Sequence, residues 1–234
     1  IAPYSRNTVA TPEQDSQNSF GSVQSQVHVE AVIDYVIENF SVDRDRLYGV
    51  GFSMGGGAAM SYAARHRDRE RGAFAAVVNH TGTNSLRATY QQSNDTMLFR
   101  SPLMFGATPS EDPFAYQRSS TIDLDALSGQ LISEGEMASN LSHVPTRHWN
   151  ADFDPNPYIV EQTEQLHTQM LSHGADSARH IVQSNQHEWE TLDAVAVMDW
   201  LGQERAQLPA PGEVVQTVAD RDGRWHQLNV TQDQ

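Results

Sequence analysis

The sequence predicts an α/β fold, a mostly parallel sheet with helices on both faces. Short apolar runs of strand length alternate with longer segments of helical period, the pattern of such a sheet. One run, Leu47-Tyr48-Gly49-Val50, turns through Gly51-Phe52-Ser53-Met54-Gly55-Gly56-Gly57 into an alanine-rich segment, Ala58 to Arg65, rich in helix formers. A second run, Ala73-Phe74-Ala75-Ala76-Val77-Val78, is apolar without alternation, as in a strand buried on both faces.

Taken in order, Ile1-Ala2-Pro3-Tyr4 reads as the tail of a strand, so further residues are expected upstream. Residues 5–21 are polar and proline-bearing, an irregular loop. Val23, Val27, Ala31, Tyr35 and Val36 recur at helical intervals behind Ser22, a suitable cap. The helix after Ser53 is expected to reach about His66, and Arg65 to Arg71 reads as a solvated charged corner rather than a binding patch. Between Asn79 and His143 the pattern weakens, with helical spacing from Leu124 to Met137. So long a stretch between core strands is usually functional or disordered, and a cap or lid over 81–143 stands beside an ordinary decorated connection.

Val144-Pro145-Thr146-Arg147-His148-Trp149 reads as a strand. Asn156 and Pro157 suit the cap and first position of a helix from Tyr158 to about Ser172, which Gly174 ends. A short strand over Arg179–Gln183 precedes the loop to His187, and a last helix spans Glu188 to Leu201, burying Leu192, Val195, Ala196 and Trp200. The division expected is a core over 1–207 and an extension over 208–234, reading as strands of something appended.

At 234 residues the chain suits one α/β domain. Its formal net charge of -15, with every basic residue an arginine, argues against nucleic acid and anionic membrane surfaces as partners. No apolar run approaches a membrane span, and the absence of cysteine excludes disulfides.

In a parallel sheet the carboxyl ends of the strands gather along one edge, where sites form. Ser53, Asp154 and His187 each follow a predicted strand there. A serine hydroxyl is a weak nucleophile until an imidazole takes its proton, and the imidazole needs a carboxylate to fix its tautomer. The turn at Ser53 is expected to be strained and to aim Oγ off the sheet. Gly51 and Gly55 would remove side chains that collide with strand and helix. The N–H of Met54, at the helix N-terminus, points where negative charge develops.

These segments resemble the α/β-hydrolase superfamily, in the branch of secreted carboxylesterases, feruloyl and acetylxylan esterases, polyhydroxyalkanoate depolymerases and related peptidases. "RLYGVGFSMGGGAAMSYAARH" is similar to the branch's nucleophile strand and helix, "FAAVVNHTG" to the strand after it, "VPTRHWNADFDP" to the acid loop and "NQHEW" to the histidine loop. The resemblance covers Ser22 to Leu201 outside the divergent middle. It implies an α/β-hydrolase fold lacking its first strands, and a serine hydrolase cleaving small-molecule or polymeric carboxylic esters through an acyl-enzyme, without cofactor or metal. The roles implied are Ser53 as nucleophile, His187 as base, Asp154 as orienting acid and Met54 N–H in the oxyanion hole, in an extracellular or periplasmic setting. Asn150-Ala151 stand where the family has His-Gly, which leaves Asp152 as a rival acid. The second oxyanion donor, from a glycine-rich turn, has no counterpart before Ser22. Trp149 and Trp189 flank the acid and base loops as candidates for lining the substrate pocket, with core packing the other role open to each.

A peptidase or amidase would use the same residues, and a non-catalytic binding scaffold remains the rival of another class. A metal enzyme built on His143, His148, Asp152 and Asp154 matches no known ligand spacing.

Overall fold

The chain's structure, a computed structural model, describes residues 20–93, 105–132, 136–183, 186–226 and 228–231. The readings of residues 1–19 fall outside those limits. Helix α1 (Val23–Asn39) starts where Ser22 Oγ accepts from the N–H of Ser25, the capping bond expected of a serine there. Strand β1 (Tyr48–Phe52) and helix α2 (Met54–Arg65) flank Ser53, and β2 (Ala76–His80) follows. The middle of the chain holds α3 (Leu86–Gln92), α4 (Pro113–Gln117) and a hairpin of β3 (Leu124–Asp125) with β4 (Gln130–Leu131). Then come β5 (Thr146–Ala151), α5 (Pro157–Ser172), β6 (Ser177–Val182), α6 (Ala194–Leu201) and the hairpin β7 (Gly223–Trp225) with β8 (Leu228–Val230).

Among the described residues β1, β2, β5 and β6 form one sheet in that order, every pairing parallel, with β1 at an edge. Alternation along β2 serves both faces. Val77 packs with Met60, Ala63 and Ala64 of α2 and Leu166 and Met170 of α5, while Ala76 and Val78 pack with Val197 and Leu201 of α6. The middle segment enters the first core through Ile122, Leu124, Met137 and Leu141.

Four local expectations change. The helical spacing of Leu124 to Met137 yields a hairpin instead. Asp125 accepts from Leu127 N–H and Ser128 Oγ, and Gly129 has φ +69, so turn chemistry overrides a weak apolar period. Asn156 makes no side-chain capping bond to α5; its N–H and side-chain amide turn back to Asp154. Helix α6 starts late, capped by Asp193 after a 3₁₀ turn at Trp189–Thr191, and its buried stripe is Val197 and Leu201, with Val195 and Ala196 exposed. The charged corner is not solvated at its start, since Arg65, His66 and Arg67 are buried.

The last change traces to the C-terminal extension. Asp220 meets Arg65 Nε at 2.6 Å, and Asn140 holds the backbone of Val218 through bonds of 2.7 and 2.9 Å. With Trp225 buried, the described part of the C-terminal extension packs against the core.

Candidate active site

The turn between β1 and α2 puts Ser53 at φ 54 and ψ −121. A non-glycine residue there stores on the order of 1–3 kcal/mol of strain, tolerated only when its surroundings over-determine it. They do so here. Ser53 N–H donates to the carbonyl of His80 at 2.9 Å, and its own carbonyl accepts from Gly56, Gly57 and Thr83 at 3.0, 3.2 and 3.3 Å. A Cβ at Gly51 would stand 2.0 Å from the carbonyl oxygen of Gly55, so no larger residue fits the approach. Gly55 itself has open space where a Cβ would go, against the expectation for that position. The close approach falls at Gly57, whose Cβ would meet the carbonyl oxygen of Thr83 at 1.9 Å.

His187 reaches the same rim from the loop after β6. Its Nε2 lies 2.9 Å from Ser53 Oγ and its Nδ1 lies 2.8 Å from Asp154 Oδ2. The ring rests on Phe52 at 4.9 Å between centroids, a contact that limits its rotation. The Asp154 side chain is fully enclosed, and its other oxygen accepts from Asn156 N–H at 2.8 Å. Asp152 lies exposed, away from this arrangement. Of the two candidate acids, Asp154 alone is brought to the imidazole.

Met54 occupies the first position of α2, where a helix leaves N–H groups without intrahelical partners, and its side chain is half-exposed. That N–H, on the residue after Ser53, is a backbone donor at the helix start. Trp189 packs edge-on to Phe52 at 6.0 Å and stays half-exposed. Trp149 packs against the α6-side core and stacks on His180 at 4.4 Å. His143 pairs with Glu213 at 3.2 Å, and His148 bonds to Asn79 and Ser177; neither approaches the acid loop as a ligand pair. Among the described residues no group of three or more metal-ligating side chains gathers, and no helix is long and apolar enough to cross a membrane.

Sequence reasoning missed His80. Its ring lies 4.8 Å from Phe52 and 5.6 Å from Trp189, fully buried, with both nitrogens enclosed and unpartnered among the described residues. Burial, with the neighbouring His187, pulls its pKa down to about 4, so it stays neutral. The signal was present: a histidine closing an apolar run at the carboxyl edge of the sheet.

Hydroxyl, imidazole and carboxylate in line can pass a proton from Ser53 to His187 while Asp154 stabilises the imidazolium. A strand–turn–helix elbow of this geometry at the carboxyl edge of a parallel sheet places the fold among the α/β-hydrolases. Within that class, the model of the prolyl oligopeptidase family (peptidase S9) matches residues 24–207, and the chain belongs to that family. The superfamily expected from the sequence is thus reached by way of a peptidase family.

No curated protein matches the chain. Among solved structures, it is similar to an acylaminoacyl peptidase of Pyrococcus horikoshii (15% identity, TM-score 0.60, covering 82% of this chain and 29% of that one). It is also similar to a puromycin-hydrolyzing peptidase of Mycobacterium tuberculosis (17%, TM-score 0.62, 88% and 30%). A third likeness is an esterase/lipase from an uncultured bacterium (12%, TM-score 0.56, 77% and 60%). The chain therefore spans under a third of the length of the peptidases, and the likeness is one of fold.

Proposed function

We propose that this chain is the catalytic portion of a serine hydrolase working through an acyl-enzyme, acting on a peptide or amide bond at least as readily as on a carboxylic ester. The observation that carries the reading is the unbroken line from Ser53 Oγ through His187 to Asp154, with contacts of 2.9 and 2.8 Å. Family membership brings the peptidase reading forward. The fold shared with an esterase/lipase keeps the ester reading beside it, with a small-molecule or polymeric ester as substrate.

In this mechanism Ser53 Oγ attacks the carbonyl carbon as His187 Nε2 takes the hydroxyl proton. The carbonyl oxygen becomes an alkoxide, to which Met54 N–H donates. Collapse breaks the C–N or C–O bond, and the leaving amine or alcohol takes the proton from His187. Water then attacks the acyl carbon, gives a proton to His187, and releases the acid as Ser53 recovers its hydrogen. Asp154 holds His187 in the tautomer that accepts at Nε2. Trp189 is assigned to the substrate pocket, and Trp149, with its ring in the core, to supporting the rim. Thr83, near the start of the 81–143 stretch, donates to the carbonyl of Ser53, so the described part of that stretch is assigned to the rim of the site.

Fluorophosphonate labelling of the protein tests the reading. The label is expected on Ser53 and lost in Ser53→Ala, and matched peptide amide and peptide ester substrates then rank the two bond types. A folded protein that takes no label at Ser53 would leave a binding scaffold in place of an enzyme.

A further inference from the structure

The buried corner behind α2 holds a charge that no carboxylate among the described residues compensates. Arg67 is 5% exposed, and its Nε and Nη1 are enclosed without a hydrogen-bond partner among the described residues. Burial alone pulls its pKa down to about 10, with no carboxylate offsetting the loss of water. Its neighbours are served differently. Arg65 is held by Asp220 at 2.6 Å and by the carbonyls of Ser120 and Gln117, and Arg71 by Glu30 and Asp34 at 3.2 and 3.3 Å. Arg221 Nη2 lies 3.1 and 3.2 Å from the ring nitrogens of His66, which burial holds neutral, and 3.5 Å from the carbonyl of Arg65, while its Nε is enclosed and unpartnered among the described residues.

Arg67 and Arg221 line one pocket of about 160 Å³, where five arginines face three carboxylates. Two of those arginines, Arg65 and Arg71, are already answered by carboxylates, whereas burial of Arg67 is offset by none. An enclosed guanidinium calls for an acceptor carrying compensating charge. The planar fork of donors matches the oxygens of phosphate or sulfate, and the volume suits one such ion with a few waters, each water claiming about 30 Å³. Arg67 follows the C-terminal end of α2 and Ser53 precedes its start, so the pocket lies roughly 18 Å, one twelve-residue helix, from the serine.

We propose that this pocket binds a small tetrahedral oxyanion, of the inorganic phosphate or sulfate kind, between Arg67 and Arg221. Because Arg221 belongs to the C-terminal extension and Arg67 to the core, the ion fastens one to the other.

The test is a titration of the protein with sodium phosphate and with sodium sulfate, against chloride at equal ionic strength. It follows the unfolding midpoint and the hydrogen exchange of residues 220–226. The expected result is a saturable rise in midpoint and slowed exchange with phosphate and sulfate but not with chloride. Apparent affinity should fall about tenfold or more in Arg67→Gln and in Arg221→Gln, and stay unchanged in Ser53→Ala. General salting-out by these ions is not saturable and survives in the variants. A midpoint indifferent to phosphate, or an equal response in the arginine variants, overturns the proposal. Should Arg67→Gln fail to fold, calorimetric titration of Arg221→Gln with phosphate decides: a loss of about tenfold or more sustains the site, and unchanged affinity removes it.

Discussion

His187 Nδ1 and Asp154 Oδ2 stand 2.8 Å apart, joining two loops separated by 33 residues, and the carboxylate is sealed from solvent. A buried anion against one ring nitrogen leaves the other free to accept from Ser53. The Asp154→Asn variant offers an amide that stabilises the wrong tautomer, so kcat/KM should fall about 10⁴-fold with the fold intact. Asp152→Asn, at an exposed position, should stay within about threefold of the parent. Steady-state kinetics on one activated substrate checks both, and a larger loss at Asp152 would reverse the assignment of the acid.

The glycines of the elbow are not equivalent. A Cβ at Gly57 meets the Thr83 carbonyl oxygen at 1.9 Å, backbone that cannot rotate away, whereas a Cβ at Gly55 meets nothing within 4 Å. Gly57→Ala should cost about 1–3 kcal/mol in denaturant unfolding and displace Ser53, to whose carbonyl Thr83 N–H is bonded. Gly55→Ala should be neutral or slightly stabilising, since alanine is the better helix former. Equal losses at the two positions would sink the steric account.

The elbow, the parallel sheet and the order of Ser53, Asp154 and His187 were legible because each depends on local sequence: an apolar run, a glycine turn, a loop after a strand. The preference for Asp154 over Asp152 rests on the resemblance of the acid loop, and burial is what separates the two in space. What escaped depends on distant partners. The corner at Arg65–Arg67 reads as surface until Asp220, 155 residues away, lies against it. His80 reads as the end of a strand until Phe52 and Trp189 close on it. The α6 stripe falls on Val197 and Leu201, about one residue along and so about 100° round the helix from the expected face, because it is the packing on β2 that chooses which face is buried.

Acid should unfold this protein partly through His148. The ring is fully buried, accepts at Nδ1 from Asn79 at 3.1 Å and lies 3.2 Å from Ser177 Oγ, and burial draws its pKa down to about 3. His167 faces it at 5.9 Å, and the charges of Arg147, Arg179 and His180 act in the same direction. The folded value lies below the unfolded one of about 6.5, so between these limits the unfolded chain binds a proton that the native ring refuses. Stability contributed by the neutral ring is therefore complete above the unfolded value and is lost as pH falls, by about 2 kcal/mol at pH 5, levelling off below the folded value. His148→Gln keeps a neutral amide in place, and urea unfolding at pH 7.5 and pH 5 should show the acid loss reduced by about that amount. Identical losses in parent and variant would remove His148 from the account.

Arg65 and Asp220 form the ion pair that ties the extension to α2, with side chains 2% and 7% exposed and Nε and Oδ2 2.6 Å apart. Removing one partner leaves the other charged in a site without water, so Asp220→Ala should cost about 3–5 kcal/mol. Removing both need not be as harmful, because the desolvation of two ions is then avoided; Arg65→Met with Asp220→Ala should recover a good part of the loss. Arg44 and Glu70, at 3.1 Å but largely exposed, supply the contrast, and Glu70→Ala should change stability by no more than about 1 kcal/mol. Denaturant unfolding of the three variants and the parent separates the cases. A double variant less stable than Asp220→Ala would mean that Arg65 serves the core through its bonds to Gln117 and Ser120 more than through its charge.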